Sequence, residues 1–280
     1  MRTIRISRAR PGLGTIIRLS AEAPTEAMAK AAIELAWREV RQVDERLHPS
    51  RPGSDLAALH AAAVGERVPA SALTLGLLRR ARALHMDSGG YFDPCLPEGG
   101  GTLADLEVGP RNLRRRAPLR LDLGGIAKGH AVDRALLALR RGGCSAGAVD
   151  AGGDLRVFGR EPESVRIGRS GPVVIDIANA ALAVSEPSSQ APPGHRGYYS
   201  RVTGAWQQAG AAAVLAPTAA EADALATCAL FMPAEQAAAL CARRGAQLLP
   251  CTWLQPGSWA ACAAGWAQRS QLTQPESPLT

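Results

Sequence analysis

Between Gly142-Gly143 and Pro217 the chain never runs far before a glycine, asparagine or proline interrupts it. That punctuation is the strongest constraint on the fold, because a stable helix needs a longer unbroken stretch and frequent turn residues favour short strands. The pieces left between the breaks, at 146–150, 155–158, 164–167, 173–177, 180–184 and 211–215, read as strands.

The first half is patterned differently. After a strand at 14–20, Pro24-Thr25 open a long helix whose apolar residues Ile33, Trp37, Val40, Val43 and Leu47 recur at intervals of three and four. A turn cluster at 48–53 ends it, a second, Ala-rich helix begins at Ser54-Asp55, and a third spans 71–86 before Ser88-Gly-Gly90. Residues 91–120, with three glycines at 99–101 and a basic cluster at 111–117, are expected to be a loop-rich excursion that rims a site. Residues 119–123 read as a strand that enters a glycine turn, and 127–141 as a helix closed by Gly142-Gly143. Thr218-x-x-Glu221 has the form of a capping box opening a helix to about 231, and a last helix begins near Pro233. The polar tail at 270–280 is expected to be disordered. With no repeat and no long linker, a single α+β domain over 1–269 is the expected architecture.

Composition narrows the function classes. A formal net charge of +7 invites a nucleic-acid reading, but the thirty arginines are scattered, aromatics are 4% and no binding motif is present. An anionic small ligand suits the charge equally well. The six cysteines show neither CxxC pairs nor metal-type spacing with the histidines. No stretch is apolar enough to cross a bilayer and no signal peptide is visible, so the expectation is a cytoplasmic protein, or a periplasmic one if the start is mis-assigned.

Two clusters carry candidate chemistry. The chain has only two lysines, Lys30 and Lys128, and Lys128 stands beside glycines at an expected helix start, where a cation opposes the macrodipole unless an anion needs both. No dinucleotide fingerprint or P-loop pattern accompanies it. Asp223 and Thr227, four apart on the helix opened by Thr218, project a carboxylate and a hydroxyl from one face, a pair suited to a hard cation such as Mg²⁺. The alternative is that Asp223 only favours the helix dipole while Thr227 packs in the core.

Three long stretches, LDLGGIAKGHAVDRAL from Leu121, VDAGGDLRVFG from Val149 and APTAAEADALATCALF from Ala216, resemble successive signatures of the ApbE family, the FAD:protein FMN transferases. GTIIRLS, SRPGSDLAALH and SGGYFDP echo further family segments in the same order. The resemblance implies one ApbE-like α+β domain with a mixed, largely antiparallel sheet and packed helices. It implies a Mg²⁺-dependent reaction that moves the FMN moiety of FAD onto a Ser or Thr hydroxyl of a target flavoprotein and releases AMP. By position it implies FAD contacts at Asp122, Gly124, Gly125 and Lys128, with Phe92 and Asp93 lining the flavin site. The metal ligands would be the Gly125 carbonyl, Asp223 and Thr227.

The sequence departs from the family in two places. Family members follow FDP with TVGPL, whereas here the chain continues Cys95-Leu-Pro-Glu-Gly-Gly-Gly101. The family histidine ahead of DPRTG, a candidate base, falls on Gly197, with His195 two residues away as the remaining catalytic candidate alongside Asp223. The alternative function is therefore a flavin-binding relative that has lost efficient transfer and serves as a carrier or sensor.

Overall fold

The computed structural model describes residues 3–167, 173–186, 197–207 and 210–249. The chain begins with a hairpin, β1 (Ile4–Gly12) and β2 (Thr15–Ala23), turned at Leu13 and Gly14, whose φ angles are 51° and 73°. Two left-handed residues give a turn that twists with its strands. No strand is expected ahead of Gly14 from the sequence, because β1 carries arginines where a buried strand would carry apolar residues. It is an edge strand, and charge suits that place.

Helix α1 (Glu26–Leu47) is capped by Thr25 and buries the expected apolar stripe. Then come α2 (Asp55–Ala61), β3 (Arg67–Pro69) and α3 (Ala72–Asp87). The region expected to be irregular contains β4 (Leu106–Val108) and β5 (Asn112–Arg115), which complete a small sheet in the order β3-β5-β4. These strands are too short for an alternating pattern to stand out, and Arg114 of the basic cluster pairs across the sheet with Glu107.

The expected strand at 119–123 forms only one bridge, Leu121 to Cys95. Its backbone is satisfied by loops and a side chain: Leu121 N–H donates to His60 Nε2 at 3.0 Å, and Asp122 N–H to the Pro94 carbonyl at 2.8 Å. Helix α4 (Gly124–Arg141) starts at Gly124 rather than Ala127, so the two glycines belong to its first turn and Lys128 to its second.

The second half contains the expected strands: β6 (Ala146–Asp150), β7 (Asp154–Phe158), β8 (Glu163–Ile167), β9 (Val173–Ile177) and β10 (Ala181–Ser185). The pair β11 (Tyr198–Ser200) and β12 (Ala205–Gln207) follows, then β13 (Ala212–Ala216), α5 (Ala219–Ala229), α6 (Ala234–Arg243) and β14 (Gln247–Leu249). Thr218 Oγ1 accepts the Glu221 N–H at 3.3 Å, half of the expected capping box; the Glu221 carboxylate goes to Arg244 instead. The tail at 270–280 lies outside the described residues.

Seven strands form one sheet in the order β1-β2-β6-β7-β10-β13-β14, and every ladder is antiparallel, which narrows the expected mixed sheet to a wholly antiparallel one among the described strands. On one face Ile17, Leu19 and Ala21 of β2 join the apolar stripes of α1, α4 and α5 in the main core. The other face is covered by the β8–β9 hairpin, with Ile175 and Ile177 against Val157, Leu182 and Leu215. Among the described residues no helix is long and apolar enough to cross a membrane. Cys95, Cys144, Cys228 and Cys241 are buried free thiols.

Candidate functional site

Helices α4 and α5 meet with no side chain between them at one point. A methyl group on Gly129 would lie 2.2 Å from the Ala219 carbonyl oxygen, so only glycine permits this approach. Further along, a methyl on Gly125 would stand 3.0 Å from Thr227 Oγ1 and 3.6 Å from the Phe92 ring. The helices therefore bring the Gly125 backbone to Thr227, with Asp223 one turn earlier on α5.

Asp223 is 2% exposed and Asp154, at the start of β7, is 1% exposed. Lys128 reaches between them: its Nζ hydrogen-bonds to Asp154 and lies 3.9 Å from Asp223 Oδ1. The other Asp223 oxygen accepts the Gly129 N–H at 3.1 Å. In a regular helix that N–H serves the Gly125 carbonyl. Burial, and then the neighbouring Asp154, push the Asp223 pKa up to about 7. Burial likewise raises that of Asp154. Burial works against the Lys128 ammonium, but the two carboxylates outweigh it and hold its pKa above the usual lysine value.

Two acids share one ammonium, so ionising both leaves one carboxylate without an equal partner, and Asp223 therefore holds its proton more tightly than an ordinary aspartate. A cation beside Asp223 would meet that need. Among the described residues no group of three or more His, Cys, Asp or Glu side chains is arranged to hold a metal. A cation here would therefore draw on a carboxylate, a hydroxyl and a carbonyl. The oxygens of Asp223, Thr227 and Gly125 fit a hard ion of the magnesium kind, which binds few protein ligands and keeps several waters.

Over this centre opens a cavity of about 690 Å³. Gly125 and Thr227 line it, together with Phe92, Asp93, Asp122 and Gly197. Its walls are aromatic: all three tyrosines of the chain, Tyr91, Tyr198 and Tyr199, lie there with Phe92 and Trp206. The Tyr199 and Trp206 rings are 5.2 Å apart and tilted by 50°. Tyr198 hydrogen-bonds to Ser185, whose Oγ is 3.5 Å from Thr227 Oγ1. Burial, more than any neighbouring charge, raises the Tyr198 pKa.

Of the remaining candidates, Asp93 and Asp122 line the cavity. Asp122 is exposed and accepts the Gly124 N–H at 2.8 Å, which starts α4. Asp93 is committed to the protein, accepting the Cys95 N–H at 2.9 Å and pairing with Arg201 Nε at 3.1 Å. Arg201 donates in turn to the Gly101 carbonyl at 2.9 Å. These contacts hold the departing segment at 95–101 in place of TVGPL. Gly99 and Gly101 allow it to lie against the backbone of 118–120, where methyl groups would come within 2.3 and 2.4 Å of main-chain atoms. His195 lies outside the described residues. Residue-level reading missed the partnership of Asp154 with Lys128 and the aromatic wall. The signal available for the first was an acid placed directly after a double glycine at a strand start. For the second it was a Tyr pair in a chain so poor in aromatics.

An antiparallel sheet among the described strands carries two facing helices, and an aromatic-walled cavity of small-molecule size is set over buried carboxylates. Comparison with known proteins makes this specific. The ApbE family profile matches residues 13–98 and 101–249, and the chain belongs to the ApbE family. An FAD:protein FMN transferase from Rhodobacter capsulatus is 29% identical over 175 residues, which is 52% of this chain but spans only 33% of that protein. The flavinyl transferase ApbE of Pseudomonas stutzeri, in its apo form, superposes with a TM-score of 0.77 at 20% identity over 92% of this chain and 93% of that one. The flavin transferase ApbE of Vibrio cholerae gives a TM-score of 0.77 at 21% identity over 89% and 93% of the two chains. These likenesses show the shared fold.

Proposed function

We propose that this protein is an FAD:protein FMN transferase that uses Mg²⁺ to move the FMN moiety of FAD onto a Ser or Thr hydroxyl of a target flavoprotein, releasing AMP. The observation that carries the reading is the placement of the aromatic cavity directly over Gly125 and Thr227, with Asp223 and Lys128 beneath. One end of a flavin nucleotide needs ring surfaces and the other needs cations, and here the rings adjoin oxygens that would hold a metal ion. The names of the relatives support the same reaction.

In this reading Tyr91, Phe92, Tyr199 and Trp206 hold the isoalloxazine and exclude water. The Gly125 carbonyl, Asp223 and Thr227 hold the metal, which when bound would neutralise charge developing on the pyrophosphate oxygens. Lys128 keeps Asp154 and Asp223 in place and offsets part of their negative charge below the phosphates, and Asp122 fixes the start of α4 that carries them. Phosphoryl transfer asks the protein mainly for such positioning and charge compensation. The same reading takes residues 1–269 as one domain.

Gly197 on the cavity wall favours one other reading, a flavin carrier or sensor that retains binding but not transfer. Incubation with FAD, Mg²⁺ and a flavoprotein acceptor domain separates the two. AMP release together with covalent flavin on the acceptor is expected; tight FAD binding with neither product would establish the carrier.

A further inference from the structure

Gly125, Gly129 and Asp133 are four residues apart along α4 and therefore share one face. That face runs antiparallel to α5: Gly125 meets Thr227, Gly129 meets Ala219 and Ala220, and Asp133 meets the first turn of α5. Asp133 is 6% exposed. Its Oδ1 accepts the Ala219 N–H at 2.8 Å and its Oδ2 the Ala220 N–H at 3.0 Å, while Thr218 serves the next N–H, that of Glu221. The unpaired N–H groups that a helix start presents are thus supplied by two different elements. Arg156 Nη1 also donates to Asp133 Oδ1, at 2.6 Å.

Arg156 lies two residues after Asp154 on β7, on the same side of the strand. The strand therefore makes two ion pairs to α4 in opposite sense, Asp154 to Lys128 and Arg156 to Asp133. Sliding α4 along β7 would bring like charges together, so the two pairs accept one register only.

We infer that Asp133, backed by Arg156, is a positioning residue that sets how far α5 extends along α4, and thereby where Asp223 and Thr227 stand relative to the Gly125 carbonyl. The inference rests on the reading of that trio as a metal site, but its geometric part does not. Asp133 is not among the residues lining the cavity, and its charge reaches Asp223 only through space. It acts through the α5 N-terminus, one and two turns before the residues it places.

The test compares full-length wild type with Asp133→Ala, Asp133→Asn, Arg156→Met and the exchanged pair Asp133→Arg/Arg156→Asp. Mn²⁺ binding is followed by electron paramagnetic resonance, FAD binding without metal by flavin fluorescence, and α5 by amide hydrogen exchange. For Asp133→Ala the expected result is at least a tenfold rise in the Mn²⁺ Kd and faster exchange at the start of α5, with the metal-free FAD Kd changed less than threefold. Asp133→Asn retains one acceptor oxygen and falls between. Arg156→Met loses less, because the cap itself survives.

The exchanged pair restores an ion pair but leaves Ala219 and Ala220 uncapped, so it is not expected to recover either signal. Recovery would overturn the inference in favour of a simple ion pair, as would equal losses in Mn²⁺ and FAD binding, which mark general unfolding. Unchanged exchange in Asp133→Ala would also overturn it. If wild type bound no Mn²⁺ and transferred no flavin, the proposed function would fall, while the exchange data would still decide the role of Asp133.

Discussion

Where α4 meets α5, the site is made of backbone and short buried side chains in fixed contact; across the cavity, residues 91–98 and 197–207 supply rings on loops and a short hairpin. The first wall tolerates almost no change of volume, since Gly129 already sits against the Ala219 carbonyl. The second is closed by rings that can tilt, and it is also where the chain departs from family habit, at 95–101 and at Gly197. In the proposed transfer the contrast follows from the chemistry each wall serves. Charge compensation depends on tenths of an ångström, whereas a flat aromatic ligand accepts many ring arrangements of similar energy.

Substitutions on the two walls should therefore differ in kind as well as size. The largest effect is expected from Asp223→Ala, which should lower kcat/KM for flavin transfer by roughly 10²–10³, as loss of a group that organises transition-state charge does. A rate that stayed unchanged at limiting Mg²⁺ would remove Asp223 from the metal site.

Lys128→Met leaves Asp154 and Asp223 facing each other without their ammonium. It should weaken FAD binding and cost on the order of 2–3 kcal/mol of stability, less than a fully orphaned charge because Lys128 keeps a path to solvent. Denaturant unfolding with a parallel flavin titration measures both.

Gly129→Ala should destabilise by about 1–3 kcal/mol by forcing α4 and α5 apart. Its metal affinity should fall further than its flavin affinity; the reverse order would mean that the walls are not independent.

On the aromatic side, Trp206→Ala should raise the FAD dissociation constant roughly three- to tenfold, the value of one ring contact, with little change in Mn²⁺ binding. The last effect concerns neither wall. Burial, then Arg134 and Arg80, lower the His130 pKa to about 4, and both ring nitrogens are buried without a hydrogen-bond partner. The unfolded chain takes up this proton near the ordinary 6.5 and the folded one only near 4, so stability should decline as pH falls through that window. His130→Leu should flatten that part of the curve in thermal melts from pH 7 to 4.

Much of the helical framework was legible because its signals are local. Thr25, Ser54, Ser71 and Thr218 all cap the helices they were expected to open, and the stripe from Ile33 to Leu47 is buried as its spacing requires. β1 escaped because an edge strand does not need an apolar pattern, and β3 to β5 because three or four residues show no period. Residues 119–123 look like a strand, yet His60 and Pro94, distant in sequence, take their hydrogen bonds. At the site, the four-residue spacing of Asp223 and Thr227 puts both on the side of α5 that faces α4. The double glycine before Asp154 marks that acid as a candidate, but no local pattern shows that the lysine among the glycines answers to it.

By itself, then, the sequence determined the helix starts, the short strands of the second half and the four-residue intervals that place a carboxylate beside a hydroxyl and two glycines on one helix face. These depend on backbone propensities and on periods shorter than two turns. Only the tertiary structure decided that the glycine face of α4 lies against α5, that Lys128 holds two carboxylates, and that three tyrosines share one cavity. Those outcomes come from burial and charge pairing between segments far apart in the chain, which no local pattern records.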